Sequence, residues 1–105
     1  MTAVTDYPLA GPGYAASAAV LDACARIAAE QVEGVTIADR RMRRSQGVSV
    51  DVSDHGVRAR LEIEVRYGTV LHEAAEAARR SVGHALARLT GLTVASVDVV
   101  VSAVD

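Results

Sequence analysis

The chain of 105 residues has no phenylalanine and no tryptophan, and it has a single cysteine and two prolines. Deep ligand pockets are usually lined by aromatic side chains, so this shortage argues against a small-molecule pocket and predicts no bound cofactor. The shortage also removes the stacking surfaces that nucleic-acid-binding domains use. Because Cys24 stands alone, there is no intrachain disulfide framework, which fits a reducing compartment.

The chain also lacks a large net charge of either sign and any long apolar run. The formal net charge of −2 gives no overall attraction to nucleic acid or anionic lipid. No run approaches the roughly 18 apolar residues that span a bilayer, so we expect no direct membrane insertion. Residues 1–16 have no basic stretch followed by an apolar one, so we expect no secretory signal and a cytoplasmic protein that reaches a membrane only through a partner.

Half of the chain is apolar, and most of that half is alanine and valine, which fill a core only where helices and sheet approach closely. The residues with a permanent positive charge are all arginine, eleven in number. Arginine makes forked contacts with carboxylates and suits ion-pair lattices and interfaces. The coding bias of a GC-rich genome is the favoured explanation for most of this usage.

The segment 57–67 alternates without a fault between apolar and charged residues. Because side chains of a strand point alternately to two sides, this pattern predicts a long strand with one buried and one charged side. The charged side has no nucleophile, cysteine or histidine, which favours a protein-contact surface over a catalytic site. It presents Arg58, Arg60, Glu62, Glu64 and Arg66.

Two helices are predicted by apolar residues at three- and four-residue spacing. The first follows Ser17 as N-cap, continues to about Val32 and ends at Gly34. Its apolar stripe comprises Val20, Leu21, Cys24, Ile27, Ala28, Gln31 and Val32. The second covers 69–90, with Thr69 as N-cap, Gly91 after its end and an ion pair between Glu76 and Arg80.

The remaining apolar runs predict strands. Residues 48–53 and 57–67 form a hairpin around a turn at 54–56, a weak strand begins at Val35, and a last strand covers 92–104. A strand, a helix and a further strand form a crossover unit, so the last strand should run parallel to 57–67. We expect Val94, Val100 and Val104 to lie on its exposed side.

The fold class that follows is α+β: a two-layer sandwich of a small mixed sheet with two helices on one side, in the order α-β-β-(β)-α-β. Residues 1–16, with their glycines and prolines, form a flexible tail, and 17–105 form one domain. Helices on a single side leave the charged side of the sheet open. Its candidate partner-binding residues are Arg58, Arg60, Glu62, Glu64, Arg66 and Val100.

Few residues suggest chemistry. His72 and Glu76 resemble half of a zinc helix, but a zinc site needs three or four donors, and solvated surface residues are the favoured interpretation. No sequence-visible carboxylate or nucleophile partners His55 or His84. Cys24 falls on a helical apolar stripe, which is typical of a buried core cysteine. The sequence therefore predicts neither a catalytic nor a metal site.

A basic cluster comprises Arg40, Arg41, Arg43 and Arg44. A solvated loop is the favoured interpretation. Binding to an acidic partner or to membrane-proximal phosphate comes second, and nucleic acid third, because stacking aromatics, a net basic surface and the G-x-x-G loop of KH domains are missing.

The order of short motifs resembles a known family. An I-A-x-x-x-V-x-G-V motif begins at Ile27, the hairpin ends in V-x-Y-G at 65–68, the second helix ends in L-T-G-L at 89–92, and V-x-x-V-D-V-x-V follows from Val94. Together they resemble the alkaline shock protein family, envelope stress response proteins of Gram-positive bacteria, over about 17–104. The arginine-only, alanine- and valine-rich composition resembles an actinobacterial member.

This resemblance implies a non-enzymatic cytoplasmic protein with no catalytic residues to carry over. Some members of the family are held at the membrane by a small membrane-anchor protein, and others are linked to regulation of fatty-acid precursor synthesis. The hypothesis that follows is a protein of the envelope stress response that binds a membrane-anchor partner, or a second copy of itself, through the charged side of its sheet.

Overall fold

The computed structural model describes residues 6–8, 15–38, 47–66 and 68–104. Two short strands, β1 (Asp6–Pro8) and β2 (Ala15–Ser17), form an antiparallel pair within the segment predicted as a flexible tail, whose flexibility stays a prediction. The other elements are α1 (Ala18–Glu30), β3 (Val35–Ile37), β4 (Val48–Ser53), β5 (Gly56–Arg66), α2 (Leu71–Thr90) and β6 (Val94–Val104). The predicted α+β class and its element order are confirmed.

Strand β5 is the centre of the main sheet. Strand β6 pairs with it in parallel along one edge, from Val57 opposite Val94 to Arg66 opposite Val104. Because β6 occupies that whole edge, β3 and β4 share the other one, and both pair with β5 in antiparallel fashion. The sheet is therefore mixed, and the predicted parallel last strand and hairpin are confirmed.

Strands β3 and β4 are two halves of one interrupted strand. Opposite the gap, the Glu62 N–H donates to the Gly47 carbonyl at 2.7 Å, and the Ala38 N–H donates to the Glu62 carbonyl at 2.8 Å. The hydrogen bonding with β5 therefore stops at Ala38 on one half and continues at Gly47 on the other. Residues 39–46 are inserted between the two halves. A side chain at Gly47 (φ +76°) would overlap the Ala38 carbonyl oxygen, so only glycine fits where the two halves meet.

The core lies between the sheet and the two helices. All five inward residues of β5 are buried, and α1 and α2 cover them from one side. The Ser81 hydroxyl of α2 donates to the Ala28 carbonyl of α1 at 2.7 Å, which joins the two helices directly. Such a close approach requires small side chains at the contact, and both helices supply alanine there.

Helix α1 begins as predicted, because the Ser17 hydroxyl accepts a hydrogen bond from the Val20 N–H. Its predicted apolar stripe is rotated, since Leu21 is buried but Val20 and Ile27 are 49% and 60% exposed. Alanines take the inward positions, namely Ala25, Ala28 and Ala29. The predicted end at Gly34 was wrong: the helix ends at Glu30, and Gly34 (φ +83°) lies in the turn before β3.

Two carboxylates of α1 hydrogen-bond to backbone groups on the outer edge of the interrupted strand. The Glu30 carboxylate accepts from the Ile37 N–H at 3.2 Å, and the Asp22 carboxylate hydrogen-bonds to the Val50 backbone. These residues are eight apart on the helix, or about 12 Å. Their strand partners lie opposite β5 residues 63 and 59, about 13 Å apart. The matched lengths let one helix cover the otherwise unpaired edge groups.

Helix α2 has a different start from the predicted one. Its N-cap is Val70, which makes no side-chain hydrogen bond, whereas the Thr69 side chain lies against Gly34. Gly91 ends the helix as predicted, in the left-handed conformation (φ +70°). On its outer side Glu76 pairs with Arg79 at 2.8 Å and not with Arg80.

The last strand places one valine differently from the prediction. Val94 packs against the core, because a register shift between Val57 and Arg58 inserts Ala95 and reverses the side on which Val94 lies. Beyond the shift, Val97, Val99 and Val101 face the core as predicted, and Val100 is 46% exposed. The side chain of Val104 lies outside the described residues.

We expect the substitution Gly47→Ala to lower the free energy of unfolding by about 3 kcal/mol, the sum of positive-φ strain and steric overlap with Ala38. Gly68→Ala is the matched control, because Gly68 also has a positive φ (+97°) but has nothing within 4 Å of an added Cβ. Gly68→Ala should lower the free energy of unfolding by only about 1 kcal/mol. Urea unfolding measures both, and equal losses would contradict the close contact at Gly47.

A second prediction concerns Asp22, whose pKa is raised by burial and by nearby Asp51, against a smaller lowering by the Val50 hydrogen bond and Arg26. The folded chain therefore binds a proton more tightly than the unfolded chain, so this group's contribution to stability falls as pH rises from the ordinary 3.8 through the raised pKa. Asp22→Asn keeps an acceptor oxygen and removes this slope.

Above that pH window Asp22→Asn should be as stable as the parent or more so. Asp22→Ala should be about 1 kcal/mol less stable, because it leaves the Val50 N–H without its acceptor. Urea unfolding across the acid range distinguishes these outcomes. If the asparagine and alanine variants lost the same stability, the proposed edge contact would be wrong.

Candidate functional site

The candidate site is the side of the sheet that the helices leave uncovered. We call it the charged face and define it by Arg58, Arg60, Glu62, Glu64, Arg66 and Val100. The five charged residues alternate with the buried residues of β5, which fixes them on the opposite side. Because the inward positions cannot leave the core, the outward positions hold a fixed spacing.

Neighbouring strands extend the charged face into rows. Asp51 of β4 lies opposite Arg58, and Arg60 lies opposite Asp98 of β6. Opposite charges at directly paired positions of a sheet stabilise it modestly. Glu64 lies opposite Thr36 in the row at the far end. The result is a lattice of both signs, and no patch of one charge forms.

A side-chain hydrogen bond on the charged face joins Arg60 and Glu62. The Arg60 guanidinium donates to a Glu62 carboxylate oxygen at 3.0 Å, and the two residues are neighbours on the same side of β5. The Arg60 side chain is 56% exposed and that of Glu62 is 18% exposed. A pair whose arginine is this exposed contributes little to folding, and the guanidinium stays within reach of a partner.

Val100 supplies an apolar element beside these charges. It lies opposite Glu62 in the ladder between β5 and β6 and is exposed on the charged face. At the β3 end the face continues into a groove of about 460 Å³, whose lining includes Thr36, Glu64 and Arg66 of the sheet and Glu30 and Glu33 beyond its edge. Interleaved charge with an apolar spot is typical of the rim and centre of a protein interface.

The other candidates from the sequence do not join this site. The cluster Arg40, Arg41, Arg43 and Arg44 lies outside the described residues, in the insertion between β3 and β4. His72 is exposed, and the Glu76 carboxylate accepts from Arg79 at 2.8 and 2.9 Å, which lowers the pKa of Glu76. Across the part of the chain that the structure describes, no three potential metal ligands gather.

Cys24 is half-buried and packs against the core, and the predicted full burial was therefore too strong. Burial raises the pKa of the Cys24 thiol. A raised pKa keeps the sulfur protonated near neutral pH, which opposes nucleophilic chemistry.

Sequence reasoning missed a second feature, on the opposite side of the domain. A groove of about 460 Å³ lies between the two helices, with Arg80, His84 and Arg88 along one wall. The four-residue spacing of these basic residues is visible in the sequence and predicts one helical stripe. What the sequence did not show is that α1 packs beside this stripe and turns it into the wall of a groove.

The fold and site together define a small two-layer α+β domain with one covered and one uncovered sheet side. None of the helices in the described ranges is long and apolar enough to cross a membrane. A family model matches residues 14–105, and its description is the alkaline shock protein 23 family, of cell envelope-related function. The chain belongs to this family, as the order of its motifs indicated.

Two solved structures share the fold. MamM CTD H264E has 18% sequence identity and a TM-score of 0.55, and the match covers 83% of this chain and 95% of that one. The copper form of MamM CTD D249H has 17% identity and a TM-score of 0.55, covering 83% and 98% of the two chains. At such identity the likeness concerns the fold alone. No curated protein sequence matches the chain significantly.

The charged face should tolerate substitution without loss of folding. We expect Arg60→Ala and Glu62→Ala each to change the free energy of unfolding by less than about 1 kcal/mol, since the pair lies on the outward side of β5 and its arginine is exposed to water. Leu61→Ala, between them and fully buried, should cost about 3 kcal/mol. Urea unfolding compares the three variants. If Arg60→Ala or Glu62→Ala lowered the free energy of unfolding as much as Leu61→Ala does, the ion pair would have a structural role in folding.

Proposed function

We propose that this protein is a non-enzymatic docking protein of the cell envelope that binds protein partners through the charged face. The observation that carries the proposal is a mixed-charge sheet side, with exposed Val100, that the helices leave uncovered. The family's envelope-related function supports the setting. The candidate partner residues are Arg58, Arg60, Glu62, Glu64, Arg66 and Val100.

The partner that suits this setting is a small membrane-anchor protein. The family's envelope-related function supports a partner that is itself held in the membrane. A protein held this way works at the cytoplasmic side of the membrane. Its anchor would present carboxylates and arginines in the complementary order, because interleaved charges select a partner by pattern more than by net charge.

A second copy of the chain is a further partner that the charged face fits. In a two-fold interface the same patch serves both copies, so arginines of one copy must meet carboxylates of the other. The face holds both signs in short alternation, with Arg60 beside Glu62 on one strand. Self-association and anchor binding would then compete for one surface.

A contact function also accounts for how the charged groups are used. Arg60 and Glu62 bind each other, and Asp51 and Asp98 lie opposite arginines, which leaves charge balanced across the face. A small-molecule site is usually a concave cleft with a few converging polar groups. The charged face is a sheet surface, and it acts by position and pattern.

We expect the double exchange Arg60→Glu/Glu62→Arg to abolish co-purification with a membrane partner. The exchange keeps the net charge and the local ion pair, but it places a glutamate opposite Asp98 and reverses the pattern that a partner meets, so urea unfolding must first show that the variant is folded. The measurement is quantitative co-purification from the membrane fraction of stressed cells, together with the protein's distribution between membrane and soluble fractions.

The control for this exchange is Glu76→Arg/Arg79→Glu, which inverts an equivalent ion pair on α2. That variant should keep its partner and its membrane association. A partner that was retained equally by both exchanges would refute docking through the charged face. A parent protein found only in the soluble fraction, with no membrane protein attached, would refute the envelope role itself.

A further inference from the structure

The groove between α1 and α2 lies on the far side of the domain from the charged face, because the helices cover the other side of the sheet. Its lining brings Ala28 and Gln31 of α1 together with the basic stripe of α2, and its volume is about 460 Å³. The hydrogen bond from Ser81 to the Ala28 carbonyl holds the two helices close at its floor. We call this groove, with the exposed side of α1 beside it, the helix valley.

One wall of the helix valley is basic. Arg80, His84 and Arg88 follow one another at four-residue spacing and all three are exposed. The stripe is about 12 Å long, with about 6 Å between successive residues. Among the described residues none of the three forms an ion pair with a carboxylate, and the nearby Glu76 is bound by Arg79. The stripe therefore presents charge to an incoming group.

The exposed side of α1 beside the groove is largely apolar. Val20, Cys24, Ile27 and Gln31 recur at four-, three- and four-residue spacing, which places them on one stripe of α1. Gln31, the last of them, lines the groove, so this stripe borders the helix valley. Val20 and Ile27 remain 49% and 60% exposed, and they are the exposed large hydrophobic residues of α1. Apolar side chains left in water beside a groove mark a surface that a partner covers.

The shape of the helix valley favours a helix as its occupant. Helix α1 runs alongside β5, since Asp22 and Glu30 meet the sheet at the levels of residues 59 and 63. Helix α2 connects the end of β5 to the parallel strand β6, so it runs back against α1. Two antiparallel helices enclose a straight channel between them, which is the form of groove that receives an amphipathic helix.

We propose that the helix valley binds one amphipathic α-helix of a partner protein, which carries acidic residues at four-residue spacing beside an apolar stripe. The acidic residues would pair with Arg80, His84 and Arg88, because the two helices share the same rise per turn. The apolar stripe would cover Val20 and Ile27. This proposal goes beyond the proposed function, because the helix valley is separate from the charged face. Binding at either surface could be lost while binding at the other is kept.

A membrane surface is the main competing occupant. A flat bilayer touches the ridges of two helices and leaves the floor between them unfilled, whereas a third helix fills it. Phosphate alone would pair with the basic wall and would leave Val20 and Ile27 in water. The basic wall of the groove together with the exposed apolar side of α1 beside it favours an acidic amphipathic helix.

The test uses the full chain and a designed helical peptide of about 18 residues, long enough to pass the whole basic stripe. The peptide carries glutamate at four-residue spacing next to a leucine stripe. A matched peptide replaces each glutamate by glutamine, and vesicles of anionic lipid provide the membrane comparison. Fluorescence anisotropy or sedimentation measures binding, and amide chemical shifts locate it.

Saturable binding of the acidic peptide, with shifts confined to α1 and α2, is the expected result. The variant Arg80→Gln/Arg88→Gln should weaken it about tenfold, since two charge-assisted contacts are lost. The glutamine peptide should be weaker by a similar factor. The control Arg58→Gln/Arg66→Gln removes the same charge from the other side of the sheet and should bind the acidic peptide unchanged.

Three results would overturn the proposal: no saturable binding at millimolar peptide, binding that Arg80→Gln/Arg88→Gln leaves unchanged, or shifts located on the charged face. Binding to anionic vesicles that depends on Arg80 and Arg88, without binding to the peptide, would assign the helix valley to a lipid surface instead. The envelope partner test on Arg60 and Glu62 is independent of all these outcomes, so failure of one proposal leaves the other intact.

Discussion

Strand β5 pairs along both of its edges while one of its sides is sealed in the core, and this double constraint orders the rest of the molecule. Its inward residues Val57, Leu61 and Val65 are fully buried. One edge holds β6 and the other holds the two halves of an interrupted strand. If β5 itself slipped by one residue, its five outward charged residues would turn into the core, so its register is firmly set. The charged face is the outward half of that same register.

The small side chains of the chain determine how the second layer packs. Alanines on both helices and the Ser81 contact allow α1 and α2 to lie close together. The larger apolar residues of α1 then remain outside, with Ile27 the most exposed of them. The same close approach forms the groove along the basic stripe of α2. Packing by alanine thus brings the helices together and leaves Ile27 on the exposed side of α1 beside the groove.

Local features of the fold could be predicted because their causes are local. The alternation of β5, the Ser17 cap, the hairpin turn and the end of α2 at Gly91 all depend on neighbouring residues. The rotation of α1 could not be predicted, because alanine competes with valine and isoleucine for the inward side and only the tertiary contact decides. The predicted start of α2 at Thr69 was wrong for a similar reason, because the Thr69 side chain packs against Gly34, which is far away in the sequence.

Features that depend on residues far apart in the chain were invisible beforehand. The end-to-end arrangement of β3 and β4 depends on both meeting Glu62. The caps on the strand edge require Asp22 and Glu30 to match the spacing of Val50 and Ile37. For the candidate site, the charged residues of β5 followed from alternation alone. Their rows required the register of β5 against its neighbours, whereas the ion pair of Arg60 with Glu62 joins residues two apart on β5 itself.

The central claim is that the uncovered side of the sheet is the surface that meets a partner at the envelope. The most direct measurement is photo-crosslinking in living cells, with a photoreactive residue at position 100 on the charged face. The matched probe is at the exposed Glu73 on α2. The account predicts that position 100 forms a discrete crosslink to a membrane-fraction protein or to a second copy of the chain, and that position 73 does not give the same product. No crosslink from position 100, or the same product from both positions, would contradict it.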